Sequence, residues 1–333
     1  MNNPLVSVII PAYNHQRYVG EAITSVIEQS YSNIELIIID DGSTDETYSI
    51  ILEYQKNYAE RFHRFMVVTQ ENMGTASTVQ KLVAHARGYY VAPMASDDRM
   101  RPSMIEDLCI FLQNNPNYIL AVGDNEIIDT NSCRIGWNKK QVIVPLGTPG
   151  SYATFGHFLK ENNPDIDFHS EQFGTYASLI KRNYIPNGWL IRRDALRKIN
   201  AFTEEAPLED WYLHLQLSKL GAYAYIDKIL FSYRWHSTNS MRDIERIWKY
   251  SALTLKYELE CLKRCSEIKF LNIAVANMPK PKIFFSISNI LVLSKFSQFG
   301  EVELSIKLLS HTVTWHVPNV VLRVYRFFKC NLQ

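Results

Sequence analysis

Long basic runs are absent from this sequence, and its 35 Lys and Arg residues are nearly balanced by 34 Asp and Glu, for a net charge of +1. With no cationic stripe to neutralise a phosphate backbone, no nucleic-acid partner is expected. Cysteine is scarce and odd in number, five in 333 residues, so a disulfide framework is not expected and a reducing compartment fits. Cys261 and Cys265 stand one helical turn apart, but no second pair follows at zinc-site spacing, and both are expected on a helix face. Long hydrophobic runs are missing too. The longest uncharged apolar stretch, Ile283 to Ser294, is too short and too polar to span a bilayer. The opening MNNPLVSVII has neither the basic start nor the long apolar core of a signal peptide, so a cytoplasmic protein is expected. Glycine is lacking where two large enzyme classes need it. Pro11–Ala12–Tyr13–Asn14 follows the first apolar run, which argues against a dinucleotide-binding dehydrogenase and against a P-loop NTPase.

What is present is enough apolar material, 47% of the chain, for a large core. Leu5–Ile10 and Ile34–Asp40 are short, β-branched and apolar, as strands buried on both faces of a parallel sheet should be. Between them Tyr18, Val19, Ala22, Ile23, Val26 and Ile27 recur at helical spacing. The alternation continues with a helix opened by the capping residues of DGSTD, a strand at FMVVT, a helix across Ala76–Ala86 and a strand at YYVAPM. These elements predict an α/β domain with a mostly parallel sheet. From about Leu146 to Pro186 the pattern loosens, and substrate-covering loops are expected there. A helix is expected from Glu209–Asp210 to Gly221, and helical sequence resumes after Ser240.

Ligands of open α/β sheets bind beyond the carboxyl ends of the strands. At those places the chain sets Asp40–Asp41–Gly42–Ser43, then Gln70–Glu71–Asn72–Met73–Gly74, then Ser96–Asp97–Asp98. Adjacent carboxylates at one sheet edge repel unless donors or a cation offset them, and a hard divalent ion does so while leaving positions open for phosphate oxygens. The Asp97–Asp98 pair is therefore read as a metal–diphosphate site, although acidic pairs at strand ends also serve simply as helix caps.

The motifs PAYN, DDGSTD, NMG, SDD, LEDW and YRWH follow one another in order, and together, over about residues 4 to 240, they resemble the family 2 glycosyltransferases. These are inverting enzymes of the GT-A fold that transfer a sugar from a nucleotide-sugar donor. The resemblance implies a GT-A catalytic domain over residues 1–240, with 1–125 as the nucleotide-binding half and 126–240 as the acceptor-binding half, and a C-terminal helical region over 241–333. It implies that Pro11, Tyr13 and Asp41 line the base pocket, Asp41 being suited to accept the imide N–H of uracil, and that Asn72 and Ser96 join the donor site. Asp97 would lie near the ribose and the metal. Asp98 would ligate Mg²⁺ or Mn²⁺, His236 would complete the metal or phosphate site, and Asp210 would be the general base. Trp189, Trp211 and Trp235 fall in or beside these motifs, and Trp211 is the best candidate for an acceptor contact. The chain departs from the pattern at Val79–Gln80, where relatives commonly carry an Arg-Asn pair and only Lys81 could replace it. It departs again at Asn200–Ala201–Phe202, where Gly-Gly-Phe is common, and at Ser96, which takes the place of an acidic residue.

Residues 268–333 carry eight Lys or Arg against Glu301 and Glu303 alone, and Trp315, Tyr325, Phe327 and Phe328 mix with Arg323, Arg326 and Lys329. That mixture suits peripheral contact with an anionic membrane, which would bring the site to a lipid-linked saccharide acceptor, as in assembly of O-antigen or capsule; a helical cap with a solvated basic face is the plainer alternative. The reading is a UDP-sugar-dependent transferase. Its rivals are a catalytically silent nucleotide-sugar-binding scaffold of the same fold and a nucleotidyltransferase, the latter lacking its Gly-rich basic loop after the first strand.

Overall fold

A computed structural model describes residues 3–278. Strand β1 (Val6–Ala12) leads through helix α1 (Val19–Ile27), β2 (Ile34–Asp40), α2 (Thr47–Tyr58), β3 (Arg64–Thr69) and α3 (Thr75–His85) to β4 (Tyr90–Pro93). Next come β5 (Arg99–Met100), α4 (Met104–Asn114), β6 (Tyr118–Ile128), β7 (Arg134–Trp137), β8 (Ile143–Val144), α5 (Phe155–Asn162) and α6 (Tyr176–Leu179). The described chain ends with β9 (Trp189–Arg192), α7 (Arg193–Leu196), α8 (Glu209–Leu217), β10 (Ala222–Arg234), α9 (Ile244–Arg264) and α10 (Ile268–Asn277).

Eight strands line up in the order β3-β2-β1-β4-β9-β6-β10-β5, with β7 and β8 continuing outward from β6. β1 pairs in parallel with β2 and β4, and β2 with β3, so the first half is the parallel sheet that the apolar runs predict. Every residue of β2 is buried, as both faces being covered by helices requires. The second half is mixed. β9 runs antiparallel to both β4 and β6, whereas β10 runs parallel to β6 with irregular register between Ile226 and Phe231. The two-residue β5 pairs antiparallel with β10, matching Met100 to Phe231 and Arg99 to Ser232. This short pairing decides the site, because it sets the end of β10 beside Asp97–Asp98 across more than 130 residues of sequence.

The stretch expected to be loops contains two short helices, α5 and α6. Thr154 and Thr175 cap them, accepting the N–H of His157 and Ser178. Beyond residue 240, α9 buries Thr254, Glu258 and Leu262, one residue per helical turn, and packs onto the body that reaches to Asn277. Among the described residues no helix is long and apolar enough to cross a membrane. The basic and aromatic sequence from 279 onward, with the membrane contact expected of it, lies outside the described residues.

Candidate active site

β4 ends at Pro93 and the chain turns through Ser96–Asp97–Asp98 into β5. At the facing end of β10, Arg234 is fully buried, and its guanidinium is held on all three nitrogens: Nε–H donates to the Asp97 carbonyl (2.7 Å), one Nη to the Asp129 carbonyl and Ser132 Oγ (3.0 and 2.9 Å), the other to Glu21 (2.9 Å). Its backbone N–H donates to Asp98 Oδ1 at 2.9 Å. Asp98 is only 2% exposed, and burial, reinforced by the charge of Asp97, pushes its carboxyl well above the usual carboxylate range. Asp98 thus fastens the turn to β10. Asp98, expected to ligate the cation, here accepts the Arg234 N–H, and it is Asp97, expected near the ribose and the metal, that meets His236.

The carboxylate that faces the histidines is Asp97. Its Oδ2 lies 2.8 Å from His236 Nε2 and 3.9 Å from His15 Nε2. Burial alone would raise its pKa, but the hydrogen bond with His236 and the fields of both imidazoles hold it below the ordinary value. The other ring nitrogens are tied to hydroxyls, His15 Nδ1 to Ser96 Oγ at 2.7 Å and His236 Nδ1 to Thr238 Oγ1 at 2.9 Å. Tyr18 stacks on the His236 ring at 5.2 Å and carries the Arg234 guanidinium on its own ring at 4.8 Å. One carboxylate oxygen and two imidazole nitrogens within 4.8 Å of one another are a donor set that fits a divalent cation. Ser96, expected in the donor site, is 2% exposed and acts here as the support of His15. His15 itself was not anticipated; its only sequence signal is its place directly after PAYN.

At the same carboxyl edge of the parallel strands, Tyr13 projects with 45% of its surface exposed, and Pro11 sits half-buried in β1 opposite Ile39. Asp41 is buried, and both oxygens are engaged. Oδ1 accepts from Gln70 Nε2 (2.7 Å) and from the Met73 N–H (2.9 Å), and Oδ2 from the Gly74 N–H (2.9 Å). The carboxylate therefore shapes the turn that opens α3, with acceptor capacity left for one more donor. Gly42 makes this close approach feasible: its φ is +75°, and a Cβ there would stand 2.8 Å from the Asn72 nitrogen. Asn72 Oδ1 also accepts from Gly74 N–H, at 3.2 Å. Lys81, the candidate replacement for the missing arginine, donates to Gln70 Oε1 at 2.6 Å and thus backs Asp41.

Asp210 is the second residue of α8. It accepts the Trp211 N–H at 2.6 Å and Asn183 Nδ2 at 3.0 Å, and burial raises its carboxyl above the ordinary value despite those donors. Burial first, and then the charge of Asp210, pushes neighbouring Glu209 up to about 7. Tyr233 on β10 is buried beside Trp137, Phe155 and Trp235. Its phenol is driven far up by burial and then by the charges of Asp98, Asp97 and Asp210, so all three carboxylates act on one buried ring. The tryptophans belong to the core instead. Trp211 is 4% exposed and its indole N–H donates to the Leu179 carbonyl at 2.8 Å, which removes it as an acceptor contact. Trp189 is buried against His214 at 4.5 Å, and Trp235 against Trp137 at 4.8 Å.

Residues 7–199 match the family described as Glycosyl transferase family 2. The chain belongs to glycosyl transferase family 2. This family 2 glycosyltransferase is 32% identical over 244 residues to an uncharacterised glycosyltransferase of Haemophilus influenzae, a match covering 72% of the chain and 68% of that protein. It is 41% identical over 109 residues to the putative teichuronic acid biosynthesis glycosyltransferase TuaG of Bacillus subtilis, covering 33% of the chain and 42% of TuaG. Among solved structures it is similar to the mannosyltransferase PcManGT of Pyrobaculum calidifontis, in complex with GDP-Man and Mn²⁺, at 13% identity and TM-score 0.51, covering 90% of this chain and 81% of that one. It is also similar to S. aureus TarS 1-349 in complex with UDP-GlcNAc, at 17% identity and TM-score 0.50, covering 72% and 61%. At such identities the likeness shows the fold, the expected GT-A arrangement.

Proposed function

We propose that this glycosyltransferase moves a hexose or N-acetylhexosamine from a UDP-sugar to a hydroxyl of a saccharide acceptor, with inversion, and that the acceptor is lipid-linked. The observation that carries the reading is the cluster of Asp97 Oδ2 with His236 Nε2 at 2.8 Å and His15 Nε2 at 3.9 Å, a donor set for a divalent cation at the carboxyl edge of the parallel strands. A base and a diphosphate site on opposite sides of one sugar are what inverting transfer needs. Asp210 takes the proton of the acceptor hydroxyl as that oxygen attacks the anomeric carbon. The bond from that carbon to the UDP oxygen breaks, and the proton stays on Asp210. An α-linked donor thus gives a β-linked product. Asp97 and His236 would hold Mg²⁺ or Mn²⁺, which when bound supplies positive charge to the diphosphate.

The remaining acceptor capacity of Asp41 and the exposed ring of Tyr13 suit a uracil base, and TarS is described with UDP-GlcNAc. PcManGT, described with GDP-Man, makes a GDP-sugar the competing donor. A cavity of about 350 Å³ beside Trp235, next in sequence to His236, is lined by Val142, Ile143, Met241 and Ile244 together with Lys140 and Arg242. Apolar walls with two cations suit an acceptor that joins a lipid to an anionic group. This supports a lipid-linked glycan, worked on at the cytoplasmic membrane face through the C-terminal region.

The test is release of nucleoside diphosphate from UDP-Glc, UDP-GlcNAc and GDP-Man, each with Mn²⁺. Turnover of a UDP-sugar and not of GDP-Man is expected. Turnover of GDP-Man alone would overturn the donor assignment.

A further inference from the structure

His15 has no part in the reaction as described above, yet its environment matches that of His236. In each ring Nδ1 meets a neutral hydroxyl, Ser96 Oγ or Thr238 Oγ1. Both Nε2 atoms face the same oxygen, Asp97 Oδ2, and the His236 Nε2–H donates to it; a cation between them would displace that proton, and an Nδ1–H donating to its hydroxyl would leave the Nε2 lone pair for the metal. The backbone holds this arrangement deliberately. Asn14 adopts a left-handed φ of 51°, its side-chain oxygen accepts the Thr44 N–H at 2.8 Å, and the His15 N–H donates to Thr47 Oγ1 at 2.8 Å. A non-glycine residue in that conformation has to be stabilised by its surroundings, and here the result is to turn His15 across the strand ends toward Ser96.

We propose that His15 is a third protein ligand of the cation held by Asp97 and His236, so that two imidazoles and one carboxylate select Mn²⁺ and its later first-row neighbours over Mg²⁺. The inference rests on the reading that this site holds a divalent cation. Metal–nitrogen bonds of about 2.1 Å let ligands of one ion stand at most about 4 Å apart, so the present spread closes by a shift of about 1 Å or less. Mg²⁺ favours oxygen ligands and gives up its waters reluctantly, whereas imidazole suits the transition ions. A site with a single histidine would discriminate less.

The experiment uses the full chain with saturating UDP and Mn²⁺. Electron spin echo envelope modulation counts the nitrogens bound directly to Mn²⁺, and two are expected in the wild type. His15→Ala is expected to leave one and to weaken Mn²⁺ binding by about tenfold or more, with Mg²⁺ binding changed less than about twofold. A thermal melt of the variant checks its fold, and the nitrogen count of the wild type stands without it. One nitrogen in the wild type, or unchanged Mn²⁺ affinity in a folded His15→Ala, removes His15 as a ligand while the cation reading survives. If neither Mn²⁺ nor Mg²⁺ binds with or without UDP, the cation reading itself fails and the inference falls with it.

Discussion

Asp97 and Asp98 are neighbours in sequence with opposite surroundings, one facing two imidazoles and the other fastened to a strand amide. Nothing in the dipeptide distinguishes them; the difference comes from Arg234, which arrives from β10 and takes Asp98 Oδ1. Asp210 stands where the helix start was expected, and its role as base comes from the LEDW motif of the resemblance. Asp210→Asn is expected to lower kcat by about 10²- to 10⁴-fold with UDP binding unchanged, measured by steady-state kinetics and titration with UDP. The pH profile has a definite sign. Asp210 works ionised and its pKa lies above the ordinary carboxylate value, so the rate falls as pH drops through that raised pKa. Asn183 donates to the ionised form. Asn183→Ala is therefore expected to move the acid limb of kcat to higher pH, and a limb that stays in place or moves down would show that Asp210 does not control it.

At the scale of elements, the strands buried on both faces could be read from continuous apolar runs, whereas β9 and β5 could not. A four-residue and a two-residue strand carry too little pattern, and their antiparallel placement is fixed by partners distant in sequence. Helices α5 and α6 were hidden for a related reason, since their only local signals are the single capping threonines Thr154 and Thr175. Helix α9 shows how an element outside the motifs supports the site. Thr254 Oγ1 accepts the Leu208 N–H at 3.1 Å, just before Glu209–Asp210. Fully buried Glu258 receives Tyr176 Oη (2.7 Å), Gln216 Nε2 (2.6 Å) and Lys219 Nζ (3.0 Å). Glu258→Ala strands those donors, although Lys219 keeps Glu267 at 3.2 Å. A loss of about 3 kcal/mol is expected by denaturant unfolding, the lower end for a broken buried pair. A loss under about 1 kcal/mol would mean that α9 is not anchored there.

For the whole molecule, the parallel half of the sheet gathers the donor side and the mixed half returns β10, α8 and α9 to complete the site. The sequence order of the motifs carried the family, and the periodicity carried the first half of the fold. Which carboxylate turns inward depended on packing across the sheet. A base at Asp210 opposite a nucleotide–cation site at Asp97, His236 and Asp41 is the central claim. It is tested most directly by the thermal shift of the wild type and of Asp97→Ala with UDP, with Mn²⁺, and with both. At ligand concentrations about 100-fold over Kd, binding adds about 2.7 kcal/mol, or about 5 °C for a chain of this size. The wild type is expected to gain that shift only when UDP and Mn²⁺ are present together, and Asp97→Ala to lose it. An equal shift in Asp97→Ala, or no shift by UDP and Mn²⁺ in the wild type, would contradict the account.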